Sequence, residues 1–265
     1  MRLIITENVG RWAANYTREK IRLCAPTAER NFVLGLPTGG TAVEMYNNFI
    51  EMYRQQTLSF KNITTFNMDE YIGLPREHRE SYHTYMHEKL FNHVDMDLSK
   101  VNIPDGNASD IPAECRSYEQ KIKDAGGIDL FIGGVGENGH IAFNEPYSSL
   151  LSVTRDKQLD MNTLVANSRF FDNDVTQVPK SAITVGIKTL LEADEVLIMV
   201  KGDKKAFALR QCMEGAVSHE WPVTALQMHP KAIIVADDAA CIELKVKTYK
   251  YFKELNDEYS YIEGL

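Results

Sequence analysis

The chain alternates short, continuous apolar runs with stretches of helical periodicity. Runs of this kind are "NFVLGL" from Asn31, "IDLFIGGVG" from Ile128, "EVLIMVKG" from Glu195 and "KAIIVAD" from Lys231. A strand that is apolar at every position is buried on both faces, and such strands separated by helices form a parallel sheet. The pattern therefore predicts an α/β protein whose ligand binds beyond the carboxyl ends of its strands.

The remaining elements follow from periodicity and from the glycines and capping residues between them. A further strand is predicted over 62–68, ending at Asp69. Helices are predicted over 41–56, 82–94, 113–126, 180–193, 203–215 and 242–262. The stretch over about 153–179 has no clear periodicity, and so long a loop in a compact domain is usually a lid or a binding loop. We therefore expect a single domain over 1–265 with a mobile lid at about 153–179.

Charge and cysteine content narrow the class of partner. The 265 residues carry a net charge of −8, whereas proteins that bind nucleic acid need a basic footprint. The four cysteines form no C-x-x-C pair, which is typical of reduced, intracellular thiols. The N-terminal apolar segment is too short for a signal peptide, and the longest aliphatic runs are far short of a membrane span. We therefore expect a cytoplasmic protein that binds neither nucleic acid nor membrane.

Three histidines raise the question of a metal site. His83 and His87 share a helical face, but Thr84 follows His83, so the H-E-x-x-H pattern of zinc enzymes fails. His78 lies nearby in the sequence, yet no cysteine or acid is placed to complete a ligand set. We therefore expect no metal.

The segment "LGLPTGGT" places a glycine turn between a strand and a helix. This arrangement points backbone N–H groups at an anion. Gly39 and Gly40 allow close approach, while Thr38 and Thr41 add hydroxyl donors, and Thr41 is placed to cap the helix. The Gly-Lys-Ser/Thr ending of a P-loop is absent. The segment indicates a sugar-phosphate site, and the alternative is a simple tight turn.

The segment "FNMDEY" closes a strand at the same sheet edge with two acids, Asp69 and Glu70. A carboxylate in that position can move a proton. The alternative is a capping or surface acid.

The segment "GGVGENGHIAFNEP" contains Gly134, Gly136 and Gly139 in the G-x-G-x-x-G spacing of a dinucleotide site. In such a site the last glycine opens a helix, whereas the proline after Glu145 would interrupt any helix here within two turns. The glycines therefore predict a sharp loop that presents His140. A histidine held by a carboxylate is an acid–base pair that works near neutral pH. The alternative is a structural hydrogen bond between His140 and Glu145.

Three basic residues follow in two further segments. Lys204 and Lys205 lie at a predicted helix start, where cations oppose the helix dipole unless an anion offsets them. Arg169 lies in the predicted lid. We expect Lys205 and Arg169 to bind an anion; the alternative for all three is an ordinary solvated charge.

Six segments in the same order resemble the glucosamine-6-phosphate deaminase family: "LGLPTGGT", "TFNMDEY", "GGVGENGHIAFNEP", "ANSRFF", "VPKSAITVGI" and "ALQMHPKAI". The resemblance spans essentially the whole chain. It implies a three-layer αβα sandwich with a mostly parallel, modified Rossmann-like sheet. It also implies an enzyme, a C–N hydrolase that converts glucosamine 6-phosphate and water to fructose 6-phosphate and ammonia without metal or cofactor.

The resemblance also implies residue roles. Asp69 matches the acid that moves a proton from C2 to C1, and His140 matches the base that opens the sugar ring, with Glu145 orienting it. The residues matching the phosphate and sugar site are Thr38, Gly39, Gly40, Thr41, Arg169 and Lys205.

One departure from the family concerns Asn138. Many members carry Asp there, which gives a carboxylate on each side of the histidine. Asn138 can hold the imidazole by a hydrogen bond but cannot stabilise imidazolium by charge, so we expect a lower basicity of His140 than in Asp-bearing relatives.

Some family members are hexamers activated by N-acetylglucosamine 6-phosphate at a subunit interface. The residues matching that site are Ser148, Arg155, Lys157 and Tyr251. Two cations near a hydroxyl suit a phosphate, but Val153 and Tyr147 depart from the family pattern around them. The resemblance thus implies a homohexamer with an allosteric site.

Two other functions stay open. A 6-phosphogluconolactonase-like hydrolase on the same fold needs no proton transfer at C2, so Asp69→Asn would spare it and abolish a deaminase. A non-catalytic sugar-phosphate sensor would bind without turnover, but no helix-turn-helix or basic face is evident to carry a signal to DNA.

Overall fold

The computed structural model describes residues 1–255 and residue 262. The strands are β1 (Arg2–Ile5), β2 (Phe32–Leu36), β3 (Ile63–Asn67), β4 (Asp69–Tyr71), β5 (Val101–Asn102), β6 (Leu130–Gly134), β7 (Arg155–Gln158), β8 (Ser181–Thr184), β9 (Val196–Val200) and β10 (Ala232–Ala236). The helices are α1 (Val9–Cys24), α2 (Gly40–Arg54), α3 (Tyr82–Lys89), α4 (Ile111–Asp124), α5 (Met161–Ser168), α6 (Ile187–Leu191), α7 (Ala206–Glu214) and α8 (Val246–Leu255).

Within the described residues, a seven-stranded sheet has the order β1-β10-β9-β6-β2-β3-β5. All of its pairings are parallel. The chain leaves β2 toward β3 and β5 on one side, and later continues from β6 toward β9 and β10 on the other. The order therefore reverses between β2 and β6, and a crevice for ligands forms at such a switch point.

β9 shows why the sheet is covered on both faces. Val196, Ile198 and Val200 belong to one hydrophobic cluster, which includes residues of α4, α6 and α7. Leu197 and Met199 belong to a second cluster, which includes residues of α1, α2 and α3. Successive side chains of a strand point to opposite faces, so helices lie on both sides. The predicted α/β sandwich with three αβα layers is confirmed.

Helix α4 shows how local sequence sets an element's ends. The Asp110 side chain accepts a hydrogen bond from the Ala113 N–H at 2.9 Å, which caps the first turn. At the other end Gly126 and Gly127 have φ of 91° and 93°, a left-handed conformation that glycine adopts at little cost. The helix therefore ends at Asp124, two residues before the end predicted from the sequence.

A second, three-stranded sheet has the order β4-β8-β7, with antiparallel pairings. In its register Thr184 lies between Asp69 and Arg155. Asp69 therefore does not follow a strand end as a loop residue: the chain breaks at Met68 and Asp69 begins a strand of its own.

The prediction of one helix over 180–193 is wrong for its first half. The segment forms β8, then turns at Gly186 and enters α6. A Cβ on Gly186 would lie 2.0 Å from the Ser152 carbonyl oxygen, so the turn packs against distant backbone. The apolar residues here fit both the helical spacing and the alternation of a strand. Pairing with β4 and β7 decides in favour of the strand.

The segment over 153–179 has more regular structure than its aperiodic sequence indicates. It contains β7, α5 and a 3₁₀ turn, Val175–Gln177. It supplies Leu159, Leu164, Phe171 and Val178 to a hydrophobic cluster with Tyr71 and Phe143. Its mobility as a lid stays a prediction.

Both ends of the chain differ from the expected pattern. β1 and α1 were not anticipated from the sequence. The helix predicted over 242–262 begins at Val246, so the prediction is wrong for 242–245, which are not helical. The helix is described to Leu255, and residues 256–261 of the prediction lie outside the described residues. No helix in the described part of the chain is long and apolar enough to cross a membrane.

Candidate active site

Four neighbouring strands direct their carboxyl ends to one edge of the central sheet. β3 is followed by Asp69, β2 by residues 38–41, β6 by the His140 loop (residues 135–149) and β9 by residues 202–205. The sequence-predicted site residues in these segments therefore meet at the switch point of the sheet.

The turn after β2 is shaped by Gly39, which has φ of 97° and is the N-cap of α2. A Cβ on Gly39 or on Gly40 would meet no atom within 4 Å, so the backbone faces open space. The Tyr85 hydroxyl donates to the Gly39 carbonyl oxygen at 2.8 Å. Thr41 lies inside the helix, so its predicted role as the cap is wrong. The turn is thus held by the hydrogen bond from Tyr85 and lies at a helix start that faces open space. Backbone N–H groups at a helix start are suited to binding an anion.

Thr38 is joined to the rest of the site through Tyr82. Burial raises the pKa of the Tyr82 hydroxyl, and the neighbouring Thr38 side chain opposes that shift. The Tyr82 ring stacks on Phe143 with a centroid separation of 6.1 Å. Phe143 belongs to the His140 loop. A buried aromatic contact thus fixes the turn after β2 relative to that loop.

Asp69 is a buried carboxyl group, 6% exposed. None of the ion pairs within the described residues includes it. Burial, and to a smaller extent the neighbouring charge of Glu70, raise the pKa of Asp69 to about 8. Removal from water disfavours the charged form of a carboxyl group. Asp69 is therefore a proton acceptor whose strength suits chemistry near neutral pH.

Glu70 has a different environment from Asp69. Its carboxylate accepts hydrogen bonds from the backbone N–H groups of Tyr71, Tyr82 and His83 at 2.8, 3.0 and 2.9 Å. Burial raises the pKa of Glu70, and these N–H groups oppose the shift. Glu70 thus anchors the start of α3, which leaves Asp69 as the acid available for proton transfer.

The glycines of the His140 loop make room for its side chains. A Cβ on Gly136 would lie 2.2 Å from His140 Cε1, so the imidazole packs directly on that glycine. Gly139 has φ of 81°, and a Cβ there would also meet the Trp221 ring at 2.6 Å. No helix follows Gly139 within the loop, so the prediction of a sharp loop rather than a dinucleotide turn is confirmed.

Glu145 is 4% exposed and receives hydrogen bonds on both oxygens. Asn138 Nδ2 donates to Oε2 at 3.0 Å, and Thr163 Oγ1 donates to Oε1 at 2.5 Å. His140 Nδ1 lies 3.4 Å from Oε2. This distance allows an ion pair but is longer than a well-aligned hydrogen bond. Burial by itself raises the pKa of Glu145, but His140 and these donors outweigh it and hold the pKa at about 2. Glu145 is therefore ionised beside the imidazole at neutral pH.

Asn138 holds the carboxylate and not the imidazole. Its Nδ2 donates to Glu145, and its Oδ1 accepts from the backbone N–H of His140 at 3.3 Å. None of the described hydrogen bonds joins Asn138 to the His140 ring, contrary to the expected ring contact. The amide therefore closes the loop between His140 and Glu145.

Two cations lie beside this edge. Lys205 is half-buried, and burial lowers its pKa; Glu137 opposes the shift and the like charge of Arg169 adds to it. Arg169 is exposed and lies over the Phe170 ring at 4.7 Å. The structure thus brings Lys205 and Arg169 within electrostatic reach of each other, an arrangement that an anion between them would stabilise.

The four residues matched to an activator site are not all brought together within the described chain. Arg155 and Lys157 share one face of β7, and Arg155 donates to Asn144 Oδ1 at 2.8 Å. Ser148 is buried in the His140 loop. Tyr251 is 58% exposed on α8, a helix that packs against β1.

Thr163, Tyr82 and Tyr85 contact the site but were not identified from the sequence. Thr163 lies in the aperiodic segment, and the tyrosines lie on a helix chosen for its apolar face. A lone hydroxyl has no sequence signature of its own, so only the fold reveals these contacts.

Comparison with known proteins places this geometry in a family. The model for glucosamine-6-phosphate isomerases/6-phosphogluconolactonase matches residues 6–235. A glucosamine-6-phosphate deaminase from Parabacteroides distasonis is 57% identical over 262 residues, 98% of this chain and 97% of that protein. The structure of a monomeric glucosamine-6-phosphate deaminase matches with a TM-score of 0.85 at 40% identity, over 91% of this chain and 98% of that one.

More distant structures share the fold alone. A 6-phosphogluconolactonase from Thermotoga maritima matches with a TM-score of 0.70 at 18% identity, over 89% of this chain and 98% of that one. With the near relatives and the family model in agreement over most of its length, the chain belongs to the glucosamine-6-phosphate isomerase/6-phosphogluconolactonase family.

Proposed function

We propose that the chain converts glucosamine 6-phosphate and water to fructose 6-phosphate and ammonia. The observation that carries the proposal is one sheet edge with a buried carboxyl group, Asp69, and an ionised carboxylate–histidine pair, Glu145 and His140. The relatives that are 57% and 40% identical are both glucosamine-6-phosphate deaminases.

Ring opening falls to His140. Its Nδ1 faces Glu145, which leaves Nε2 as the nitrogen available to the sugar. Nε2 moves a proton from the C1 hydroxyl to the ring oxygen, and the Glu145 carboxylate stabilises the imidazolium that forms in between. Asn138 keeps the carboxylate in place through its hydrogen bond to Oε2.

Proton transfer between C2 and C1 falls to Asp69. Once the ring is open, the C2 proton lies beside an aldehyde and is acidic enough for a carboxylate to remove. The substrate ammonium at C2 brings a positive charge near Asp69, which favours its ionised form on binding. Removal of the C2 proton gives an enolamine, in which one proton of the ammonium group passes to O1. Asp69 then returns its proton to C1, which leaves a protonated imine at C2. Water adds at C2 and ammonia departs, giving fructose 6-phosphate.

The phosphate is held away from the reacting carbons. The turn of Thr38, Gly39, Gly40 and Thr41 supplies N–H and hydroxyl donors, and Lys205 and Arg169 supply charge. Phosphate binding at a distance orients the sugar and supplies energy for the chemical step.

The test is an assay of both products, ammonia and fructose 6-phosphate, from glucosamine 6-phosphate. Asp69→Asn should lower kcat by roughly 100- to 10,000-fold, the usual contribution of a general acid–base group. Glu220→Gln, a change at an exposed acid, is the control. A chain that forms no ammonia, or an Asp69→Asn variant with full activity on a 6-phosphogluconolactone, would refute the proposal.

The proposal also includes a homohexamer activated by N-acetylglucosamine 6-phosphate at Ser148, Arg155, Lys157 and Tyr251. It is supported by the two cations on one face of β7 and by a Ser148 hydroxyl that is buried without a hydrogen-bond partner among the described residues. Light scattering distinguishes a hexamer from a monomer, the form described for the 40% identical relative. Sigmoidal kinetics that the activator makes hyperbolic would support the site; hyperbolic kinetics with no response would contradict it.

The location that we propose is the cytoplasm. All four cysteines are free thiols, as expected in a reducing compartment. Fractionation of cells followed by detection of the chain tests this part.

A further inference from the structure

We propose that Thr163 is a positioning residue for the His140–Glu145 pair: its hydroxyl fixes one oxygen of Glu145 so that the other faces the imidazole. The inference rests on the proposed function, because it concerns the pair to which ring opening is assigned.

The two oxygens of Glu145 have separate partners. Oε2 receives Asn138 Nδ2 at 3.0 Å and lies 3.4 Å from His140 Nδ1. Oε1 receives Thr163 Oγ1 at 2.5 Å and, at 3.4 Å, the backbone N–H of Asp160. A hydroxyl bonded to one oxygen of a carboxylate restrains rotation of the whole group, so Thr163 sets the direction of Oε2.

Thr163 is itself held firmly. It is 5% exposed and lies in α5, whose N-cap is Asp160. The Asp160 side chain accepts from the Asn162 N–H at 3.0 Å, and the next residue, Leu164, is packed in the hydrophobic cluster with Phe171. A threonine side chain in a helix has two main χ1 rotamers, and in the one adopted here Oγ1 donates to Glu145. The hydroxyl is therefore presented to Glu145 in a fixed orientation.

The donor comes from a segment outside the His140 loop. Thr163 belongs to the segment over 153–179, which also carries Arg169. The loop supplies Asn138, His140 and Glu145, and α5 supplies the hydroxyl that binds the other oxygen of Glu145. Among the described residues, the titratable side chain that contacts the Glu145 carboxylate is His140 from its own loop, while Asp160, at the start of α5, contributes its backbone N–H.

The chemical consequence follows from burial. If the hydroxyl is removed, the long contact to the Asp160 N–H is the one donor that the described part of the chain leaves to Oε1, and a buried acceptor that has lost its main donor is destabilised. The carboxylate then turns toward other donors, and Oε2 no longer faces Nδ1. The imidazolium loses part of its stabilisation, so ring opening slows.

The experiment compares Thr163→Val, which keeps the shape and removes the hydroxyl, with Thr163→Ser, which restores it. Thr163→Val should lower kcat roughly ten- to a hundredfold, as expected for a misplaced catalytic group, with KM nearly unchanged. The acidic limb of the kcat profile should move to lower pH by about 0.5 unit, because the imidazolium is less stabilised. Thr163→Ser should restore both quantities.

A matched control is Thr189→Val. Thr189 is 4% exposed, and its hydroxyl donates to Glu119 Oε1 at 2.6 Å. The variant thus loses the same kind of buried hydrogen bond to a carboxylate that is not Glu145. It should show a similar fall in Tm but an unshifted acidic limb. An equal pH shift in both variants, or no change of kcat and pH limb in Thr163→Val, would overturn the proposal.

A second readout separates this inference from the proposed function. The His140 ring signals, assigned by their loss in His140→Gln, are followed by NMR as a function of pH in wild type and Thr163→Val. A midpoint at lower pH in Thr163→Val supports the positioning role even if the wild type forms no ammonia, in which case only the proposed function fails. An unchanged or higher midpoint overturns the positioning role even if the wild type is active.

Discussion

Replacement of Asp69 by Asn should stabilise the folded protein, and more so as the pH rises. Asp69 is buried, and its pKa is raised from 3.8 to about 8. Between these two values the folded chain holds a proton that the unfolded chain has released, so the stability of the wild type falls as the pH rises. An asparagine amide does not titrate in this range, so the variant lacks this dependence.

The size of the stabilisation follows from the pH range between the unfolded-state pKa of 3.8 and the folded-state pKa of about 8. Each unit of pH inside it changes the free energy of unfolding by about 1.4 kcal/mol. Between about pH 5 and about pH 7 the advantage of Asp69→Asn over the wild type should therefore grow by up to about 3 kcal/mol. Above the folded-state pKa of about 8 both states are ionised, and the difference should become constant.

The assay is urea unfolding followed by circular dichroism at a series of pH values and constant ionic strength. Glu220→Gln, at an exposed acid, is the control and should run parallel to the wild type. If the Asp69→Asn and wild-type stabilities also run parallel from about pH 5 to about pH 8, Asp69 does not hold a proton in the folded state, and the basis for its role as a base tuned to neutral pH is lost.

Two further predictions concern the His140 loop. Asn138→Asp would place a second carboxylate about 3 Å from Glu145. Two negative charges at that distance repel and favour a proton on the neighbouring groups, so the acidic limb of the pH–rate profile should move to higher pH. An unchanged limb would contradict the expected influence of Asn138 on His140. Gly136→Ala should lower kcat at least tenfold, because its Cβ would overlap the His140 ring at 2.2 Å. Gly134→Ala, whose Cβ would meet its nearest neighbour at 3.8 Å, should keep most of the activity; equal losses in both variants would refute the steric explanation.

The candidate site could be predicted in outline because its residues lie in short segments with local signatures. The turn at Gly39 and the loop around His140 each follow an apolar run that is visible in the sequence, and Asp69 closes the strand predicted over 62–68. Parallel strands bring their carboxyl ends to one edge, so these segments had to meet. The contact between Asn138 and Glu145 was not predictable, because an amide seven residues away has several partners within reach.

The sequence by itself determined the parallel sheet and the three segments at its edge, because burial on both faces and turn chemistry are local properties of the chain. Only the tertiary structure decided that 181–184 forms a strand, that Asp69 begins a strand in a second sheet, and that Thr163 reaches Glu145. Each of these depends on which distant segments pair and in what register. Such pairing is a property of the packed molecule, because the free energy that selects it arises from contacts between residues far apart in the chain.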